Sequence, residues 1–248
     1  MKVIDINCDL GEGGEFDDEL MPLISSCNIA CGGHFGNDVS VGVAVKLAKH
    51  HRVNIGAHPS YPDVINFGRQ SLEISKTELK KELHKQIDFV QKACDANQTQ
   101  LHHIKPHGAL YNDMLRHRHV ADLVLEVVSE RNKTLILFCP PHVQFSAPLP
   151  KHIKLWYEGF ADRAYTNDLS LVSRSKDNAV IYNSEIIFKR VLGMVLDQEI
   201  ISFSGETLEC NFDTICVHSD TPNAKQILQV LNSELSALGI KIGYRNGA

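Results

Sequence analysis

Residues 101–112 read LHHIKPHGALYN, and this run contains a strand, its stop and the beginning of something else. Leu101 and Ile104 give the first half the look of a buried strand. Pro106 then ends the pairing, because proline has no N–H to give to a ladder. Gly108 lets the chain turn before it resumes with a tyrosine and an asparagine. Lys105 and His107 are thereby placed where a strand gives out, which in an α/β protein is where ligands are met.

Six further short apolar runs resemble this one: VIDINC (3–8), SCNIAC (26–31), VNIGA (53–57), TLILFC (134–139), IKLWYEGF (153–160) and DTICVH (213–218). Their near-continuous apolar character suits a parallel sheet covered on both faces. Several of the intervals between them have helical period. Ser75 and Glu78 make a capping box ahead of Leu79, Leu83, Ile87 and Val90. An apolar face runs from Leu115 to Val128, and Thr221-Pro222 supplies a cap and first-turn proline for a last helix closed by Gly239. Alternating elements with right-handed crossovers give an α/β fold. Seven strands in 248 residues favour a barrel or near-barrel over an open sheet. No linker, repeat or low-complexity segment interrupts the chain, so 1–248 reads as a single domain.

Composition narrows the function. Hydrophobic residues make up 43%, and 25 basic against 30 acidic residues give a net charge of −5 without a polybasic run. This argues against nucleic acid or an anionic membrane as the main partner. No apolar run reaches the ~20 residues of a membrane helix, and a cytoplasmic protein is expected. Seven cysteines without a C-x-x-C pair sit mostly in apolar runs, where a reduced thiol packs as a small hydrophobe. The phosphate-loop, dinucleotide, G-x-S-x-G and H-E-x-x-H signatures are all absent.

Polar residues gather after the strands: Asp9 and Glu12, then His34, His58, Lys105 with His107, then Glu158, Asp162 and Arg163, and finally His218 and Asp220. A lone histidine at a strand end is ordinarily a hydrogen-bonded structural residue, and Asp9 or Glu12 could cap the next helix. Four histidines at four strand ends are harder to dismiss singly, because a barrel rim collects them in one cleft. Arg69 lies in a long Pro- and Gly-rich loop after the third strand, the kind of loop that serves a site.

The motifs IDINCDLGEG (4–13), ISSCNIACGGH (24–34), IGAHPSYPD (55–63), NFGR (66–69), HIKPHGALYN (103–112), GFADRAY (159–165) and TICVHSDTPNA (214–224) together resemble the LamB/YcsF family. The chain departs from the usual pattern at Asn37, where the family has aspartate, and at Ser219, where it has glycine. The resemblance implies a seven-stranded TIM-like (β/α) barrel of the glycoside hydrolase/deacetylase type. It also implies ATP-coupled cleavage of 5-oxo-L-proline to L-glutamate, with partner subunits B and C. The matching motifs single out Asn7, Asp9, Glu12, Asn28, His34, His58, Arg69, Lys105, His107, Asp162, Arg163 and His218. By residue type, Asp9, His34, His58, Lys105, His107 and Asp162 are the catalytic candidates. Asn7, Glu12, Asn28, Arg69, Arg163 and His218 are the substrate-binding ones. With no phosphate loop, ATP is expected mainly on a partner. Two alternatives stay open: a metal-dependent deacetylase-like hydrolase using Asp9, His34 and His58, or a subunit that binds substrate without doing chemistry.

Overall fold

A computed structural model describes residues 2–14, 16–131 and 133–243, so both ends of the expected 1–248 domain lie outside the described residues. In chain order the elements are β1 (Val3–Leu10), α1 (Asp17–Leu20), β2 (Ser26–Ala30), α2 (Asp38–His51), β3 (Asn54–His58), α3 (Lys76–Ala96) and β4 (Leu101–Ile104). Then follow α4 (Gly108–Arg116), α5 (Arg118–Ser129), β5 (Leu135–Cys139), β6 (Ile153–Phe160), α6 (Ser184–Leu192), β7 (Glu199–Ile201), β8 (Thr207–Glu209), β9 (Thr214–Cys216), α7 (Ala224–Ala237) and β10 (Lys241–Ile242).

The seven expected strands are β1 to β6 and β9, and they pair in parallel in that order until β9 meets β1 and closes the barrel. β10 extends the wall beside the first residues of β1. The hairpin β7–β8 lies outside the barrel sheet. Outside the barrel, α3 buries Leu79, Leu83, Ile87 and Val90, the residues whose spacing marked its face.

Three local expectations need correction. Only half of the capping box at α3 forms: Ser75 accepts from the Glu78 N–H at 3.2 Å, while the reciprocal bond belongs instead to Asn37 and Ser40 at α2. Asn37 thus does the capping work its usual aspartate could do, since the two residues cap about equally well. The apolar face from Leu115 to Val128 is two helices broken at His117, whose extended backbone separates α4 from α5. Thr221 does not cap α7. That helix starts at Ala224, and the Thr221 hydroxyl is drawn inward to Asp162 at 2.7 Å. Gly239 does end α7 in the left-handed region, at φ +72°.

The barrel interior is polar along much of its axis. The Thr214 hydroxyl donates to Asp5 Oδ2 at 2.5 Å, and Ser25 and Ser26 donate to Asp5 Oδ1. Above them Asn7 donates to Thr214 and to Glu158, and Asn28 donates to Asn7 and Asp9. His103 points inward to Asn28 at 2.8 Å and stacks on Phe138 with centroids 4.1 Å apart. It has room because Gly56 faces it: a Cβ there would lie 2.1 Å from His103 Nε2. Gly56→Ala is therefore expected to cost about 1–3 kcal/mol or more through overpacking. An unchanged urea midpoint would show that the ring can move aside freely.

Candidate active site

Lys105 follows β4 and is 2% exposed, yet it is charged because β1 and β6 offer it oxygens and β9 a sulfur. Its Nζ lies 2.8 Å from Asp9 Oδ1, 2.9 Å from Glu158 Oε1, 3.3 Å from Asn7 Oδ1 and 3.1 Å from Cys216 Sγ. Burial works against the ammonium, but Asp9 and Glu158 outweigh it and hold the lysine well above its ordinary range. Likewise burial would raise the Asp9 carboxyl, while His58 and Lys105 hold it well below the usual carboxylate range. Asp9 therefore stays ionised as a base or a cation holder.

Three imidazoles stand beside it. His34 and His107 stack with centroids 3.7 Å apart, and His58 meets both edge-on. His34 Nε2 donates to Glu12 Oε1 at 3.0 Å, and burial keeps this ring below the ordinary histidine range. His58 Nδ1 donates to the Lys105 carbonyl at 2.6 Å, and His107 Nε2 donates to the Phe67 carbonyl at 3.0 Å. A carbonyl can only accept, so both tautomers are set. The remaining nitrogens, His58 Nε2 and His107 Nδ1, face each other at 2.9 Å, with Asp9 Oδ2 3.4 Å from the former and Glu12 Oε1 3.4 Å from the latter. Two bare lone pairs at that distance repel. The gap must hold a proton, or a cation in its place.

Backbone geometry builds this arrangement. Pro106 ends β4, and His107 N–H donates to the Pro59 carbonyl at 2.8 Å. Gly108 sits at φ +56°, and a Cβ there would lie 2.5 Å from the Gly68 carbonyl oxygen, so this position needs glycine. The loop after β3 is clamped by Gln86 of α3, whose amide bonds both the N–H and the carbonyl of Ser60 at 2.9 Å. On the far side, His218 is held by Asp162 Oδ1 at 2.8 Å, and Asp162 also takes the Thr221 hydroxyl. Burial would raise Asp162, but His218 and the donated bonds lower it.

These groups open into one cavity of about 350 Å³, lined by Asp9, Glu12, His58, Lys105, His107 and His218 at its inner end and by arginines at its mouth. Its size lies near the lower end of small-molecule sites, ~300–1,000 Å³. The profile of the LamB/YcsF family matches residues 4–247. The chain belongs to the LamB/YcsF family. It is 42% identical over 248 residues to the A component of 5-oxoprolinase from Thermococcus sibiricus, covering 96% of each chain. A crystal structure of the lactam utilization protein from Thermus thermophilus superposes with a TM-score of 0.89 at 33% identity, covering 99% of this chain and 100% of that one. The peptidoglycan deacetylase PdaC from Bacillus subtilis shares the fold at a TM-score of 0.50 and 14% identity, over 98% of this chain and 87% of that one. The architecture is thus the seven-stranded barrel of the deacetylase type.

Not every residue drawn from the family motifs reaches the cavity. Asp9, Glu12, His58, Arg69, Lys105, His107, Arg163 and His218 line it. Asn7 and Asn28 are fully buried beneath Asp9, with their amides bonded to Glu158, Thr214 and each other. They set the position of Asp9 and Lys105 rather than meeting substrate. Asp162 stands behind His218 and orients it. His34 is fully buried against His107, so the set facing Asp9 and His58 is completed by His107, not by His34 as the spacing suggested.

Sequence reasoning passed over His103 and Cys216 beneath the site and Tyr111, Arg116 and Arg174 on the cavity lining. Gly56 within a strand was the available signal for His103, because a strand glycine marks a close approach. All seven cysteines are free and buried, as the apolar runs indicated. Among the described residues no helix is long and apolar enough to cross a membrane.

Asp5, at the base of the polar column, is raised by burial to about 6. A carboxyl with a raised folded pKa favours folding at low pH and loses that contribution as pH climbs through the folded value. The stability difference between wild type and Asp5→Asn should accordingly shift against wild type by up to about 3 kcal/mol between pH 4 and pH 7. Urea unfolding at the two pH values reads this, and a pH-independent difference would contradict it.

Proposed function

We propose that this chain acts as the A component of 5-oxoprolinase, a hydrolase that opens 5-oxo-L-proline to L-glutamate with ATP hydrolysis, in a complex with partner subunits B and C. The observation that carries the reading is the pair of facing nitrogens, His58 Nε2 and His107 Nδ1, beside an ionised Asp9 on the floor of a cavity sized for a small lactam. Relatives at this level of identity, named for 5-oxoproline cleavage, supply the substrate.

An unactivated lactam is a poor electrophile. Transfer of the ATP γ-phosphoryl group to the amide oxygen, with ATP held mainly on a partner, yields an O-phosphoryl imidate, ADP and the proton that leaves the amide nitrogen. The His58–His107 pair with Asp9 takes a proton from water as its oxygen adds to the ring carbon. The same pair returns that proton to the ring nitrogen, and as the carbon–nitrogen bond breaks the hydroxyl of the adduct gives its own proton to the nitrogen and becomes the acyl carbonyl. This leaves an amine and an acyl phosphate, which a second water converts to carboxylate and inorganic phosphate. Proton transfer of this kind contributes typically ~10²–10⁴-fold. Lys105 keeps Asp9 charged throughout, and Asp162 keeps His218 turned toward the cavity.

The test is an assay of 5-oxoproline-dependent ADP and glutamate formation by subunits B and C, with this chain present or withheld. Equal turnover without the chain would end the proposal.

A second reading, a metal-dependent hydrolase, is favoured by one observation. Asp9, His58 and His107 offer ligand atoms within 4.8 Å of one another, and both histidines anchor their far N–H on a carbonyl, as metal-bound imidazoles ordinarily do. The donor set fits a divalent cation, whose chemistry there would be Lewis-acid polarisation of the amide carbonyl. Stoichiometric metal in the purified protein, lost in His107→Gln, is the expected result on this reading. Metal-free protein with full activity excludes it.

A further inference from the structure

The mouth of the cavity carries more positive charge than the proposed substrate uses. Arg69, Arg116, Arg163 and Arg174 line it, and Asp220 is the acidic group facing them. Arg174 meets Asp220 at 2.7 Å and Arg69 meets the same carboxylate at 2.8 Å, so one carboxylate is shared by two guanidiniums. Asp162, whose charge also favours the Arg163 guanidinium, is hydrogen-bonded to His218 and Thr221. At the inner end Asp9, Glu12 and Glu158 face Lys105 and the proton or cation between His58 and His107, so no positive charge is in surplus there.

Arg163 is the informative member. It is 7% exposed, one of its terminal nitrogens donates to the Val172 carbonyl at 2.7 Å, and its buried Nε has no hydrogen-bond partner among the described residues. A buried guanidinium nitrogen without an acceptor is costly. The residue itself lines the cavity, beside the Arg174–Asp220–Arg69 cluster. Burial and the nearby Arg174 charge work against its own charge and outweigh Asp162 and Asp220, so a bound anion would offset them.

The proposed lactam brings a single carboxylate, which one arginine can hold bidentately. At the mouth, four arginines against one aspartate leave more positive charge than a single carboxylate uses. We propose that Arg163 and Arg174, with Arg116 and Arg69, form a phosphoryl-binding subsite at the cavity mouth, separate from the acid–base floor. It would take the phosphoryl group of a phosphorylated cyclic amide supplied by an ATP-using reaction on a partner, and afterwards the released phosphate. This rests on the functional reading above and extends it: the phosphoryl group enters this chain's cavity and does not stay on the partner.

The experiment titrates inorganic phosphate into the full chain by calorimetry, alone and with saturating 5-oxoproline. Phosphate should bind at one site, and should still bind when 5-oxoproline is present. Arg163→Gln and Arg174→Gln should each weaken phosphate at least about tenfold, the loss expected for one charge-assisted contact. Arg174 is 35% exposed, so that variant keeps the test valid if Arg163→Gln fails to fold. No phosphate binding, mutual exclusion with 5-oxoproline, or unaltered phosphate affinity in Arg174→Gln would each overturn the subsite. Phosphate binding without any 5-oxoproline binding would leave the subsite standing and remove the substrate reading instead.

Discussion

Lys105→Met should reduce glutamate formation by the reconstituted complex by about 10²–10³-fold and lower unfolding stability by about 3–5 kcal/mol. Methionine fills the same space, so the loss is electrostatic. Asp9 and Glu158 would be left buried and facing each other without the ammonium that now lies within 2.9 Å of both. Their carboxyls would then prefer the protonated state. A group whose folded pKa is raised contributes stability at low pH and loses it as pH rises, so the deficit of the variant should shrink as pH falls toward 5. Adding Glu158→Gln should recover part of the stability, because one of the two orphaned charges goes. A Lys105→Met protein as stable as wild type at pH 8 would mean that the lysine is not charged in the fold.

The second large effect is at His58. His58→Asn retains an amide donor near the Nδ1 position for the Lys105 carbonyl but leaves nothing to share a proton with His107 Nδ1. Turnover should fall by about 10²–10⁴-fold, with KM for 5-oxoproline changed little and the melting temperature within a few degrees of wild type. The separation of kcat from KM is what matters here. A variant with wild-type kcat and a raised KM would make His58 a substrate contact, and the chain a holding subunit whose partners do the chemistry.

Much of this was legible in the residues alone. Each of the seven apolar runs became a barrel strand, because period and composition report directly on a strand buried on both faces. Most of their polar tips line one cavity, with His34, Glu158 and Asp162 buried behind it, because parallel strands in a closed barrel all end on the same rim. The local errors share a cause. Thr221 before a proline looks like a cap, but a buried aspartate across the barrel claimed its hydroxyl. The face from Leu115 to Val128 has an unbroken apolar pattern, yet His117 divides it, since periodicity is insensitive to one extended residue.

The sequence by itself determined the parallel barrel, the rim that gathers the titratable side chains and the family. Tertiary structure alone decided which polar groups touch and in what protonation state. Asn7, Glu158, Lys105 and Cys216 are far apart in the chain and meet at one ammonium. His107 takes the place beside His58 that spacing had assigned to His34, and two carbonyls, from Lys105 and Phe67, select the tautomers that leave both rings facing. The physical reason is range. Propensity and pattern act over a few neighbouring residues, whereas hydrogen bonds and charges in a buried site act through space, between groups that only the closed barrel brings within about 3 Å.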